Sequence, residues 1–213
     1  MTSETVLEFN HSPLSFLPPL PSSLQELRCN NCPYLMMMPE KFPETLKVLK
    51  CDNCPSLFSF STLPSSLLSL YCLNCENLQS LPNLPLSLQM LDCYNCPNLL
   101  SLPTLPEFLR VLECFNCKNL SLPQILPQSI QELHYCECRN LYSITNIPHC
   151  LRNLICYNCP NLLPIPTILP QNLRVVCFDN CPKFHFSDYI KNRYVIIDTT
   201  ESNVNIKRAF KKI

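Results

Sequence analysis

Hydrophobic and polar residues alternate in short segments that return along the chain every 21 or 22 residues. Within residues 88–96, Leu91 and Cys93 alternate with Met90, Asp92 and Tyr94. A period of two places successive side chains on opposite faces of an extended strand. Each segment is therefore predicted to be a short strand with one buried face, on which leucine and cysteine are the inner residues.

Eight such units can be aligned by their Leu-x-x-Leu starts, and a degenerate half-unit precedes them near Leu7. The units begin at Leu24, Leu46, Leu67, Leu88, Leu109, Ile130, Leu151 and Leu173. Repeats of this length stack so that each buries its apolar side against its neighbours, which predicts a solenoid with a parallel sheet. At roughly 4.8 Å per strand, eight strands span about 40 Å. The predicted organisation is an N-terminal half-repeat or cap over residues 1–23, the solenoid over residues 24–184, and a C-terminal cap with a basic tail over residues 185–213.

The segments that return from one strand to the next are rich in Leu-Pro, and most of the 22 prolines lie there. Proline is excluded from helix interiors, so these segments predict an irregular, polyproline-like convex side. The chain contains no glycine. Turns with positive φ should therefore use the asparagine found in nearly every repeat, and the glycine-rich phosphate loops of nucleotide-binding proteins are excluded.

These repeats resemble leucine-rich repeats, and the Leu-Pro-x-Leu-Pro segments resemble the short class of bacterial type III effectors. Cysteine- and asparagine-rich arrays of this kind are also similar to leucine-rich-repeat proteins of giant viruses. The resemblance runs from Leu24 to Phe184 and implies a non-enzymatic module that recognises proteins. One departure is that the usual ladder asparagine is replaced by cysteine, at Cys32, Cys54, Cys75, Cys96 and Cys117. The chain left after Phe184 is too short for the effectors' ligase domain, so ubiquitin transfer is not expected.

Paired cysteines such as Cys29-x-x-Cys32 have the spacing of zinc ligands. The alternative is a structural column of small buried thiols. Tyr135 and Phe178 replace the inner cysteine in two units, and a packing position accepts such residues whereas a metal site does not. The column is therefore predicted to be structural, with no metal and no cofactor in the reduced protein. Metal or thiol chemistry on this ladder is kept as an alternative.

No catalytic residues are predicted. His134 shares the outward face of its strand with Glu132 and Cys136, which are the parts of a cysteine nucleophile site, but side chains two residues apart on a strand run parallel rather than converge. The formal net charge of +0 gives no case for nucleic acid or an anionic membrane. Residues 1–10 do not resemble a signal peptide and no apolar run is long enough for a bilayer, so an intracellular location is expected, in the host cytoplasm if the protein is viral or an effector. A basic segment over residues 205–212 leaves a nuclear location as an alternative.

The outward strand positions predict a binding surface on the concave side of the sheet. The apolar residues expected to be exposed there, and to bind a partner protein, are Tyr71, Leu73, Met90, Tyr94, Val111, Phe115, Ile155 and Tyr157. Exposed apolar area of this extent is typical of interaction sites, and Tyr94 and Phe115 are the predicted anchors. The alternatives are cross-strand packing alone and self-association through the same surface as a structural protein.

Overall fold

Ten short parallel strands follow one another in chain order and form one continuous sheet. The computed structural model describes residues 5–121, 123, 125–166 and 168–183, and the backbone of residues 195–196. The strands are β1 (Val6–Glu8), β2 (Glu26–Asn30), β3 (Val48–Asp52), β4 (Ser69–Leu73), β5 (Met90–Tyr94), β6 (Val111–Phe115), β7 (Glu132–Cys136), β8 (Asn153–Tyr157), β9 (Val175–Asp179) and β10 (Val195–Ile196). The described residues contain no helix, so none of them forms a helix long enough to span a membrane. The predicted solenoid is confirmed, while the remainder of the C-terminal cap and tail predicted for residues 185–213 lies outside the described residues.

The strands pair in the register of the sequence repeat, so equivalent residues of successive units form columns. Leu49 lies opposite Leu70, and Cys51 opposite Cys72. From β2 to β6 the second and fourth residues of every strand are buried and the other three are partly exposed. This is the burial pattern that a period of two requires when one face of a sheet covers the core.

The turn after each strand from β1 to β9 contains a residue with positive φ. In seven of the eight turns after β2 to β9 this residue is asparagine, with φ between 51° and 59°, and in the eighth it is Glu137, with φ 56°. Asparagine tolerates the left-handed region better than other non-glycine residues. The prediction that asparagine replaces the missing glycine is thus confirmed for these turns, with Glu137 as the exception.

The second cysteine of each pair closes the turn with a hydrogen bond to the preceding repeat. The Cys54 thiol donates to the carbonyl of Cys29 over 3.1 Å, and the Cys96 thiol donates to the carbonyl of Cys72 over 3.2 Å. The same bond recurs as far as Cys181, which donates to the carbonyl of Cys156 over 3.4 Å. The cysteines therefore occupy the ladder positions expected from the sequence, and they link consecutive strands.

Candidate binding surface on the outer face of the sheet

The face of the sheet that points away from the core, here called the outer face, carries the first, third and fifth residues of each strand. Six of the predicted partner-binding residues lie on it in adjacent strands and are partly exposed. They are Tyr71 and Leu73 on β4, Met90 and Tyr94 on β5, and Val111 and Phe115 on β6. These six residues lie side by side on three adjacent strands, around Asp92 and Glu113 on the same face, and we call them the aromatic patch.

Side chains within the aromatic patch already contact one another across strands. The rings of Tyr94 and Phe115 stack with their centroids 5.0 Å apart and an interplanar angle of 22°. The Tyr71 hydroxyl donates to the Met90 sulfur over 3.1 Å, and the Lys50 ammonium lies 5.1 Å from the centroid of the Tyr71 ring. Such pairs stabilise a sheet, so part of the aromatic composition is explained by packing.

The two remaining predicted residues lie on β8, outside the aromatic patch. Tyr157 is partly exposed, but Ile155 retains only 6 % of its surface exposed, so the expectation that Ile155 extends the exposed surface is wrong. Ile155 packs with Cys136 and Cys177 of the neighbouring strands in a small buried cluster against which Phe115 and Tyr157 also pack. The outer face is therefore accessible to solvent near β4 to β6 and buried at Ile155. The alternation of apolar and polar residues along a single strand does not reveal this difference.

Charged side chains on the outer face are separated along the sheet. Near its N-terminal end, the Arg28 guanidinium lies 2.7 Å from a carboxylate oxygen of Glu26 and the Lys50 ammonium lies 3.6 Å from the same oxygen. The hydrogen bond from Arg28 is the main reason that the pKa of Glu26 is lowered. In the middle of the sheet, burial and the nearby Glu113 carboxylate raise the pKa of Asp92 to about 7. The negative charge of Glu26 is thus compensated by neighbouring cations, whereas a negative charge on Asp92 is energetically unfavourable.

His134 is the one buried polar residue in the described part of the chain, with 7 % of its surface exposed. Its Nδ1 atom lies 3.1 Å from a carboxylate oxygen of Glu113 on the neighbouring strand. Burial raises the pKa of the Cys136 thiol above its usual range, and Cys136 is fully buried. A buried thiol kept protonated is a poor nucleophile. The geometry brings His134 to Glu113, a contact that the sequence analysis missed because it depends on the strand register.

The cysteine ladder lies inside the core. All 17 cysteines, which lie in the described part of the chain, are thiols rather than disulfides, and only Cys150 is not buried. Burial raises the pKa of Cys29 and Cys54 to about 12, and it raises that of Cys51 well above the usual range. Among the described residues, the groups that could hold a metal ion include none built from cysteine. The thiols act here as core side chains and hydrogen-bond donors.

The fold is similar to that of solved leucine-rich-repeat proteins. The leucine-rich-repeat domain of the type III effector XopL matches with a TM-score of 0.69 and 21% sequence identity, over 93% of this chain and 77% of that one. YopM from Yersinia enterocolitica matches with a TM-score of 0.43 and 19% identity, over 91% of this chain and 64% of that one. The circular leucine-rich-repeat protein CroV588 gives a TM-score of 0.28 and 18% identity, over 83% of this chain and 40% of that one.

The chain therefore has the leucine-rich-repeat fold, and the predicted resemblance is confirmed at the level of the fold. No family model matches the chain, and no curated protein matches it in sequence.

Proposed function

We propose that this protein is a non-enzymatic interaction module that binds a partner protein through the aromatic patch. The observation that carries the proposal is the contiguity of six partly exposed apolar side chains on three adjacent strands. Isolated exposed apolar residues are common on protein surfaces, whereas contiguous groups usually mark interaction sites. The similarity to the leucine-rich-repeat domain of an effector protein is in keeping with this proposal.

The sheet beneath the aromatic patch is suited to binding because it is held in place before a partner arrives. Every strand from β4 to β6 is hydrogen-bonded on both sides. The turns after these strands are also tied to the preceding repeat by hydrogen bonds from thiols, such as that from the Cys117 thiol to the carbonyl of Cys93, at 3.0 Å. Surfaces that are ordered before binding lose less conformational entropy on association. The stacked rings of Tyr94 and Phe115 offer a rigid apolar platform in the middle of this surface.

The proposal is tested by identifying a partner and then measuring its affinity for single variants. Partners are captured from cell lysate under reducing conditions, purified, and titrated against the wild type, Tyr94→Ala and Phe115→Ala. Each truncation should weaken binding by at least ~1 kcal/mol, roughly a fivefold rise in Kd, if these residues are binding hot spots. Tyr34→Ala and Phe108→Ala are matched controls, since these aromatic residues are 61% and 58% exposed and lie outside the strands.

Unchanged affinity in the Tyr94 and Phe115 variants, with the fold intact by circular dichroism, would refute the aromatic patch as the site. An equal loss of affinity in the Tyr34 or Phe108 control would also refute it. Light scattering at several protein concentrations addresses the self-association alternative. A concentration-dependent oligomer that Tyr94→Glu dissolves would replace the partner proposal with self-assembly.

A further inference from the structure

We propose that Glu113, Glu132 and His134 bind one divalent first-row transition-metal ion on the outer face of β6 and β7. One carboxylate oxygen from each glutamate and one ring nitrogen of His134 all lie within 4.8 Å of one another. Among the described residues, this is the one group of three or more His, Cys, Asp or Glu side chains whose ligand atoms lie so close together. The proposal is separate from the function of the aromatic patch, although the site borders that patch at Glu113, which lies between Val111 and Phe115 on β6.

The register of the sheet explains why these three side chains converge. Glu113 lies directly opposite His134 in the pairing of β6 with β7. Glu132 precedes His134 by two residues and therefore projects from the same face of β7. Opposite and diagonal side chains on one face are within reach of each other when the side chains are as long as glutamate. Two adjacent strands thus supply the three ligands.

The charge distribution around the three residues favours a cation. The outer positions of β4 to β8 contain Asp92, Glu113 and Glu132 but no lysine or arginine. Glu26, in contrast, occupies the same column as Glu132 and has its charge compensated by Arg28 and Lys50. Carboxylates held close together repel one another strongly where water is partly excluded. A divalent ion between Glu113 and Glu132 would relieve this repulsion.

The ligand set also restricts the kind of ion. One imidazole nitrogen and two carboxylate oxygens suit Zn²⁺, Mn²⁺, Fe²⁺ or Co²⁺, while thiolate ligands would be softer. This site therefore differs from the cysteine-based zinc site that the paired cysteines leave as an alternative, and it departs from the expectation that the protein carries no metal. Three protein ligands leave at least one coordination position for water or another group. The competing explanation is that the contact of 3.1 Å between His134 and Glu113 is a simple hydrogen bond.

The test is a titration of the metal-free 213-residue chain with Co²⁺, with the thiols kept reduced by a phosphine. Binding is followed by calorimetry and by visible absorption, since thiolate ligands produce an intense charge-transfer band whereas oxygen and nitrogen ligands do not. We expect one Co²⁺ per chain, no charge-transfer band, and displacement by Zn²⁺. Glu113→Gln and Glu132→Gln should each raise the Kd at least tenfold. Glu26→Gln is the matched control and should change the Kd less than twofold.

Three outcomes would overturn the proposal. The wild type could bind no more Co²⁺ than the Glu113→Gln, Glu132→Gln double variant. The bound ion could show a thiolate charge-transfer band, which would place it on cysteine. Glu26→Gln could weaken binding as much as Glu113→Gln, which would indicate diffuse attraction rather than a site. His134→Gln serves as a third ligand variant, and circular dichroism of every variant verifies that a loss of binding is not a loss of fold.

Discussion

Glu137 interrupts the ladder of asparagine side chains that joins successive turns, and this defect gives a quantitative prediction. In the intact part of the ladder, the Asn116 amide donates to the Asn95 side-chain oxygen over 2.7 Å. Further along the chain, the Asn180 amide donates to the Asn158 side-chain oxygen over 2.8 Å. Position 137 falls between Asn116 and Asn158. Because a glutamate carboxylate has no amide donor, the side-chain oxygen of Asn116 is buried without a hydrogen-bond partner.

Glu137→Asn should therefore stabilise the protein. An asparagine at this position can donate to Asn116, and a net hydrogen bond contributes about 0.5–1.5 kcal/mol. Asparagine also tolerates the φ of 56° found at residue 137 better than glutamate does. Together these effects should raise the free energy of unfolding by about 1–2 kcal/mol. For a chain of this size, each kcal/mol corresponds to a rise in Tm of about 2–4 °C.

Two further variants separate the contribution of the hydrogen bond from that of the backbone. The stability of the wild type and of all three Glu137 variants is measured by thermal and urea unfolding followed by circular dichroism. Glu137→Gly relieves the backbone but supplies no donor, so it should stabilise less than Glu137→Asn. Glu137→Gln removes the negative charge, which lies near Lys118 and Arg139, without restoring the short asparagine geometry. If Glu137→Asn is no more stable than Glu137→Gly, the missing hydrogen bond has no energetic importance and the reasoning fails.

Three further predictions concern the core and the outer face. The Tyr135 hydroxyl is buried without a hydrogen-bond partner, so Tyr135→Phe should raise the free energy of unfolding by ~1 kcal/mol; a loss of stability in urea unfolding would mean that the hydroxyl is bonded. Because the pKa of Asp92 is raised to about 7, ionising Asp92 disfavours the folded state. Stability should therefore fall as the pH rises from about 4, the unfolded value, to about 7, and Asp92→Asn should reduce this slope in EDTA-containing buffer; an unchanged slope would contradict the assignment. Since Cys150 is the one cysteine that is not buried, a thiol reagent should modify one cysteine rapidly in the folded protein and all 17 in denaturant; rapid modification of several native thiols would show that the ladder is open to solvent.

The repeat pattern predicted those features that recur in every unit. The alternation of Leu91 and Cys93 with their polar neighbours predicted both a strand and its buried face, and β5 has that burial. The absence of glycine predicted asparagine at positive φ, and Asn95 is one of the residues that adopt it. Such features follow from local geometry and from neighbours one repeat away, so the sequence period contains enough information to predict them.

Features specific to one part of the sheet were harder to predict. Ile155 occupies an outward position, yet it is buried with Cys136 and Cys177. Alternation assigns a side chain to a face of the sheet but does not determine what packs over that face. The exposure of the aromatic patch and the burial of Ile155 therefore had to come from the packed structure.

The sequence by itself determined the stacked parallel sheet, the core columns of leucine and cysteine, and the position of the turn asparagines, because each depends on a periodic pattern of apolarity and backbone preference. Tertiary structure alone decided that His134 meets Glu113 and that Glu137 leaves Asn116 without a donor. Glu113 and His134 are separated by one repeat, and their contact requires the two strands to pair in one register with both side chains on the same face. A hydrogen bond or a metal site requires interatomic distances that are correct to within a few tenths of an ångström. No pattern of residue types along a chain specifies distances so closely.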